Sequence, residues 1–169
     1  MDALDAIRTR RSIRQFHPTP VPPELLHSLL EAACLAPSAG NQQPWQFLVL
    51  DDPALLRQVP SFHPHAKMLL TAPLAVLVCG DLSREKYKGY WMIDCAAATE
   101  NLLLAAHAMG LGGCWLGIYP REDRMEGIRK LIMIPASIVP FALVALGYPA
   151  EKKPPEHRFS DDRVHHNAW

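Results

Sequence analysis

The stretch Asp94–Met109 most constrains what this chain can fold into. It contains neither Gly nor Pro and is dominated by Ala and Leu, both strong helix formers. Projected at about 100° per residue, Glu100 and His107 share one narrow polar stripe, and almost every other position is apolar. A surface helix needs a broad polar face, so the pattern predicts a helix covered on most of its sides. Its alanines suit close packing against a sheet or a second subunit. Asp94, Glu100, Asn101 and His107 interrupt it too often for a bilayer span. Gly110 then offers a left-handed cap. After it, Gly112-Gly113-Cys114-Trp115-Leu116-Gly117 reads as a short glycine-flanked strand whose small residues let a flat ligand lie on the backbone.

The rest of the chain fits one domain, residues 1–169, with enough apolar side chains (49%) for a sizeable core. A formal net charge of zero gives no bulk electrostatic case for nucleic acid or membrane. Cys34, Cys79, Cys95 and Cys114 lie far apart with no C-x-x-C pair, so reduced structural thiols are expected rather than zinc ligands. The start, MDALDAIRTRR, lacks the apolar core of a signal peptide, which points to the cytoplasm. Prolines cluster at Pro18–Pro23 and Pro154-Pro155 as rigid connectors, and Glu151–Trp169 has a polar, coil-like composition.

Taken in order, Asp2–Thr9 reads as a short helix with Leu4 and Ile7 on one side. In Arg10-Arg11-Ser12-Ile13-Arg14-Gln15-Phe16, an extended backbone would point Arg10, Ser12 and Arg14 the same way. That gives either an anion clamp of two guanidinium forks and a hydroxyl or a solvated basic loop. Pro22-Pro23 opens a helix over Glu24–Leu35, which Pro37 ends. In the following loop, Asn41 and Gln43 suit the edge of a heterocycle and Ser38 the lining of a flat pocket. The plain alternative is a turn into a strand at Gln46–Leu50.

Ala54–Val59 is a short helix, Leu74–Cys79 a buried strand, Glu122–Leu131 an amphipathic helix and Phe141–Leu146 another buried strand. Arg84–Met92, with Tyr87, Tyr90 and Trp91, reads as an aromatic lid or an extra turn before the long helix. His63, His65 and the pair His165-His166 have no carboxylate or cysteine at ligand spacing, so no metal is expected. The glycines from Gly110 to Gly117 do not spell G-x-G-x-x-G, and they follow a helix rather than a strand. No Walker A, G-x-S-x-G or H-E-x-x-H sequence occurs, which leaves hydrolytic and nucleotide-triphosphatase chemistry without a basis.

Four segments, taken together, resemble the nitroreductase family: Arg10–Phe16, Ala36–Phe47, the Ala-rich helix closing in Gly110-Leu111-Gly112, and Gly147-Tyr148-Pro149. The similarity runs in order from Met1 to about Arg158. It implies an α+β fold, with a mostly antiparallel central sheet flanked by helices, in an obligate homodimer. Residues 150–169 would form an exchanged tail wrapping the partner subunit.

It further implies tightly bound FMN at the dimer interface, with NAD(P)H as diffusible reductant. Arg10, Arg11, Ser12 and Arg14 match the family segment that holds the phosphate and the ribityl and pyrimidine side. Pro37, Ser38 and Asn41 match the loop lent by the second subunit, and Lys67 a lysine near the pyrimidine. Trp115, Leu116 and Gly117 match the strand facing the isoalloxazine, with an amide near the reactive nitrogen, and Arg158 a basic tail residue that reaches the phosphate. Leu116 stands where some longer members carry Glu, and Glu156 where some carry a second tail lysine.

The implied activity is ping-pong hydride transfer from NAD(P)H to nitroaromatic or quinone-type acceptors, with no protein acid or base assigned. The alternatives are a specialised reaction such as dehalogenation or dehydrogenation, or a flavin-binding module with little turnover. Partners are a second copy of the chain and a small-molecule acceptor.

Overall fold

The computed structural model describes all 169 residues. Helix α1 (Ala3–Thr9) is capped by the Asp2 carboxylate, which accepts from the Asp5 amide at 2.8 Å. It is followed by α2 (Pro23–Cys34), β1 (Trp45–Leu50), α3 (Pro53–Leu56), β2 (Leu74–Asp81), α4 (Trp91–Ala108), β3 (Gly112–Gly117), α5 (Glu122–Ile132) and β4 (Ile138–Gly147). The strands form one antiparallel sheet in the order β1-β2-β4-β3. This is the α+β architecture the sequence predicts, with element ends displaced by a few residues.

Both faces of the sheet are covered, which explains why β2 is an unbroken apolar run. Ala75, Leu77 and Cys79 face a core shared with Ile128 of α5 and with Leu56, Val59 and Leu69. The alternate residues Leu74 and Val76 face Leu102, Leu103 and Ala106 of α4 and Leu29 and Ala33 of α2. The strand predicted at Phe141–Leu146 extends back to Ile138 and so includes Pro140. The register shifts opposite it, between Val78 and Cys79, where a residue without an amide proton costs the ladder least.

Two details of α4 go beyond the sequence pattern. The helix begins at Trp91, so of the two readings of this segment Trp91 takes the extra turn before the expected helix rather than the lid. It is buried over Gly80, where a Cβ would lie 2.3 Å from the indole. The single chain also leaves one side of the helix only partly covered. Asp94, Cys95, Ala98, Thr99, Leu102, Leu103 and Ala106 are buried, whereas Ile93 is 61% exposed and Ala97, Leu104 and Ala105 are half-buried. No helix is long and apolar enough to cross a membrane.

The first part of the tail lies on its own chain rather than reaching outward. The Ala150 amide donates to Gln15 O at 2.9 Å, and Lys153 Nζ donates to Ser12 O at 2.7 Å. Beyond Glu156 the tail is exposed apart from a half-buried Ser160, including Phe159 and Trp169.

Candidate functional site

Strand β3 is an edge strand, and its glycines decide what meets its outer side. Gly112 has no Cβ, so Ile13 packs within 2.8 Å of where one would be. This lets the Ile13 amide donate to Gly113 O at 3.0 Å, in an isolated parallel bridge between Ser12 and Gly113. Beyond that bridge the edge is open. Ile118 donates to Phe141 O across the ladder, so by alternation residues 112, 114 and 116 turn their amides toward β4. Gly113, Trp115 and Gly117 turn theirs outward. A Cβ at Gly117 would meet nothing within 4 Å.

The Gly117 carbonyl is gripped from two sides. Arg124 Nη1 of α5 donates to it at 2.7 Å and His63 Nε2 at 3.1 Å. A carbonyl only accepts, so Nε2 carries the proton. Burial, and after it the nearby Arg124 guanidinium, hold the His63 pKa below 6.5, so the ring is neutral at pH 7.

From His63 the chain continues into the wall of a cleft of about 450 Å³ lined by Arg14, Pro64, His65, Lys67, Met68 and Thr71. Arg14 and Lys67 have no carboxylate partner, although the Arg14 backbone amide donates to Glu151 at 2.5 Å. Two unneutralised cations in one cleft suit an anion or the electron-rich edge of a ring.

The remaining predicted residues are divided among neighbouring places. Arg10 does not share the Arg14 cleft but lies 3.4 Å from Glu100, beside His107, whose ring nitrogen pairs with Thr9 Oγ1 at 2.7 Å. The expected common face of Arg10 and Arg14 therefore does not form, because the segment holds only isolated bridges and not a regular strand. The polar stripe of α4 instead pairs with the end of α1. Arg11 pairs with Glu156 at 2.5 Å and donates to Pro154 O, and Arg158 holds the other Glu156 oxygen at 2.7 Å. Ser12 contributes its carbonyl to Lys153. Trp115 packs edge-on to Phe141 with centroids 5.8 Å apart. The Leu116 side chain is buried in the core and its amide faces β4, so the outer edge at this point belongs to Trp115 and Gly117.

The loop bearing Pro37, Ser38 and Asn41 is built on groups the sequence reading passed over. Asp94, at the start of α4, is 4% exposed and accepts from the Ala39 amide at 3.0 Å and from Gln42 Nε2 at 2.6 Å. Gln42 Oε1 in turn accepts from the amides of Lys86 (2.8 Å) and Tyr87 (3.1 Å). A buried carboxylate needs such donors. Ser38 Oγ and Asn41 Oδ1 both bind Gln43, and Gly40, Asn41 and Gln43 have positive φ. The available hint was an acidic residue at the buried end of an otherwise apolar helix. Burial pushes the Cys79 and Cys95 thiols up to about 12 and raises that of Cys114, which keeps them protonated.

Comparison with known proteins places these features in context. A model described as "Nitroreductase family" matches residues 7–73 and 61–148. A protein of Methanothermobacter thermautotrophicus, provisionally named an NADH dehydrogenase/NAD(P)H nitroreductase, is 47% identical over 100% of this chain and 88% of its own length. A solved structure from Parabacteroides distasonis with the same provisional name has a TM-score of 0.95 and 37% identity, covering 99% of this chain and 98% of that one. An FMN-dependent nitroreductase of Clostridium difficile superposes with a TM-score of 0.91 at 28% identity, covering 98% of this chain and 99% of its own.

Proposed function

Since this chain belongs to the nitroreductase family, we propose that it is an FMN-dependent NAD(P)H oxidoreductase passing hydride by a ping-pong route to nitroaromatic or quinone-type acceptors. The observation that carries this reading is the unpaired Arg14 and Lys67 in one cleft, joined through the His63–Met68 loop to the open edge of β3 at Gly117.

The residues present fit the cofactor. FMN is a flat ring with an electron-rich pyrimidine edge and a charged phosphate. Gly117 leaves open space for the ring, and Arg14 and Lys67 suit the pyrimidine edge. Arg10, Arg11, Ser12 and Arg158 supply the phosphate side. Glu156 occupies Arg11 and Arg158 here, so phosphate must compete with it for them. When bound, the flavin accepts hydride from NAD(P)H and delivers it to the second substrate. Arg14 and Lys67 would stabilise negative charge at the pyrimidine end of a bound flavin.

Self-association completes the reading. Leu4 and Ile7 of α1, Leu35 after α2 and Ile93 of α4 are all more than half exposed, and Ile7 and Leu35 share a shallow apolar surface with Leu104 and Ala105. A second copy covering it would bring the Ser38–Asn41 loop to its neighbour's cleft. The exposed tail beyond Glu156 would reach the partner, in a cytoplasmic homodimer.

Steady-state oxidation of NADH and NADPH with a nitroaromatic and a quinone tests the proposal. Ping-pong transfer predicts parallel double-reciprocal lines. Intersecting lines would refute the ping-pong route, and absence of turnover with every acceptor would leave only a flavin-binding module.

A further inference from the structure

Three buried side-chain nitrogens have no hydrogen-bond partner: Arg10 Nε, His63 Nδ1 and Arg124 Nε. Two of them belong to the pair that meets at Gly117. Native chains seldom leave such atoms unpaired, because each carries a desolvation cost. Here His63 Nε2 and Arg124 Nη1 are both committed to one carbonyl.

The sequence builds this pair deliberately. Gly127 of α5 lacks a Cβ, which would lie 2.3 Å from the Phe62 ring, so Phe62 seats against the helix. That contact brings the next residue, His63, alongside Arg124, which lies one helical turn before Gly127. The His63 backbone is fixed as well, its amide donating to Val59 O and its carbonyl accepting from Ala66, each at 3.0 Å. The His63 ring lies edge-on to His65 at 6.2 Å, and Pro64, His65, Lys67 and Met68 wall the cleft. One loop thus grips Gly117 with its first residue and forms the cleft with those that follow.

We infer that His63 and Arg124 are positioning residues that hold the outer edge of β3 at Gly117 in register with the Arg14–Lys67 cleft. The inference rests on the oxidoreductase reading. Glycine has the freest backbone of any residue, so an edge glycine facing open space needs an external restraint. Within a strand, the amide and carbonyl of one residue point to the same side. Fixing the Gly117 carbonyl therefore aims its N–H, one of the Trp115–Gly117 amides among which the family resemblance sets a donor against the flavin. An oxidised flavin ring nitrogen accepts such a bond; once reduced and protonated, the same atom no longer does. The restraint therefore favours binding of oxidised FMN over reduced FMN.

The test compares His63→Ala and His63→Gln with the parent chain, by FMN affinity in both redox states and by amide hydrogen exchange of the apoprotein. His63→Ala should weaken oxidised FMN about tenfold and reduced FMN less than threefold. The resulting difference of about three- to tenfold between the states raises the two-electron potential by about 15–30 mV. His63→Gln, which keeps a donor at similar reach, should recover most of the effect. In apoprotein, His63→Ala should speed exchange at Gly117 about tenfold while β2 and β4 keep their protection.

Unchanged potential and exchange in His63→Ala, or a Gln variant as impaired as Ala, would overturn the positioning role. Parent protein that binds no FMN while the exchange result holds would refute the cofactor reading and leave the restraint on Gly117 standing.

Discussion

Glu156 is the residue at which fold and function pull in different directions. One carboxylate holds Arg11 through one oxygen and Arg158 through the other, and both guanidinium groups belong to the set assigned to the FMN phosphate. The two cations hold its pKa below the usual carboxylate value, so it stays charged at neutral pH. Glu156→Gln should therefore tighten FMN, by no more than about fivefold, the most that an exposed ion pair of this kind allows. Equilibrium titration of apoprotein with FMN checks this. Unchanged or weaker affinity would remove Arg11 and Arg158 from the phosphate site. The family resemblance was enough to single out these arginines, but not to separate them. The alternation argument placed Arg10 with Arg14, whereas the Glu100 and His107 stripe on α4 draws Arg10 away. Gln42 and Asp94 stayed hidden because each is meaningful only through the other, across a loop and a helix start.

At the scale of elements, strongly periodic segments were legible and their ends were not. The apolar run of β2 and the Ala-rich body of α4 needed nothing but composition and spacing. The start of α4 depended on a tertiary contact, the docking of Trp91 onto Gly80. The beginning of β4 depended on a register shift that accommodates Pro140. That dependence makes Gly80 a sharp test of the element boundary. Gly80→Ala places a methyl group 2.3 Å from a buried indole that also packs edge-on against Tyr119 and Phe141. Overpacking of this kind costs about 1–3 kcal/mol, to be read as a lower urea midpoint with an unchanged slope. A variant as stable as the parent would mean that Trp91 does not fix where α4 begins.

At the scale of the whole molecule, one protomer holds a cleft and a restrained strand edge but leaves an apolar side of α4 only partly covered. The proposed second copy would cover that side, and the proposed electron-rich ligand would meet the unpaired Arg14 and Lys67. Both proposals converge on bound flavin. The most direct measurement is the absorption spectrum of the purified protein, before and after anaerobic addition of NADH or NADPH. A yellow protein that releases FMN on denaturation and bleaches with one of the nicotinamides is the predicted result. A protein that cannot be reconstituted with FMN, or whose bound FMN stays yellow with both, would contradict the assignment.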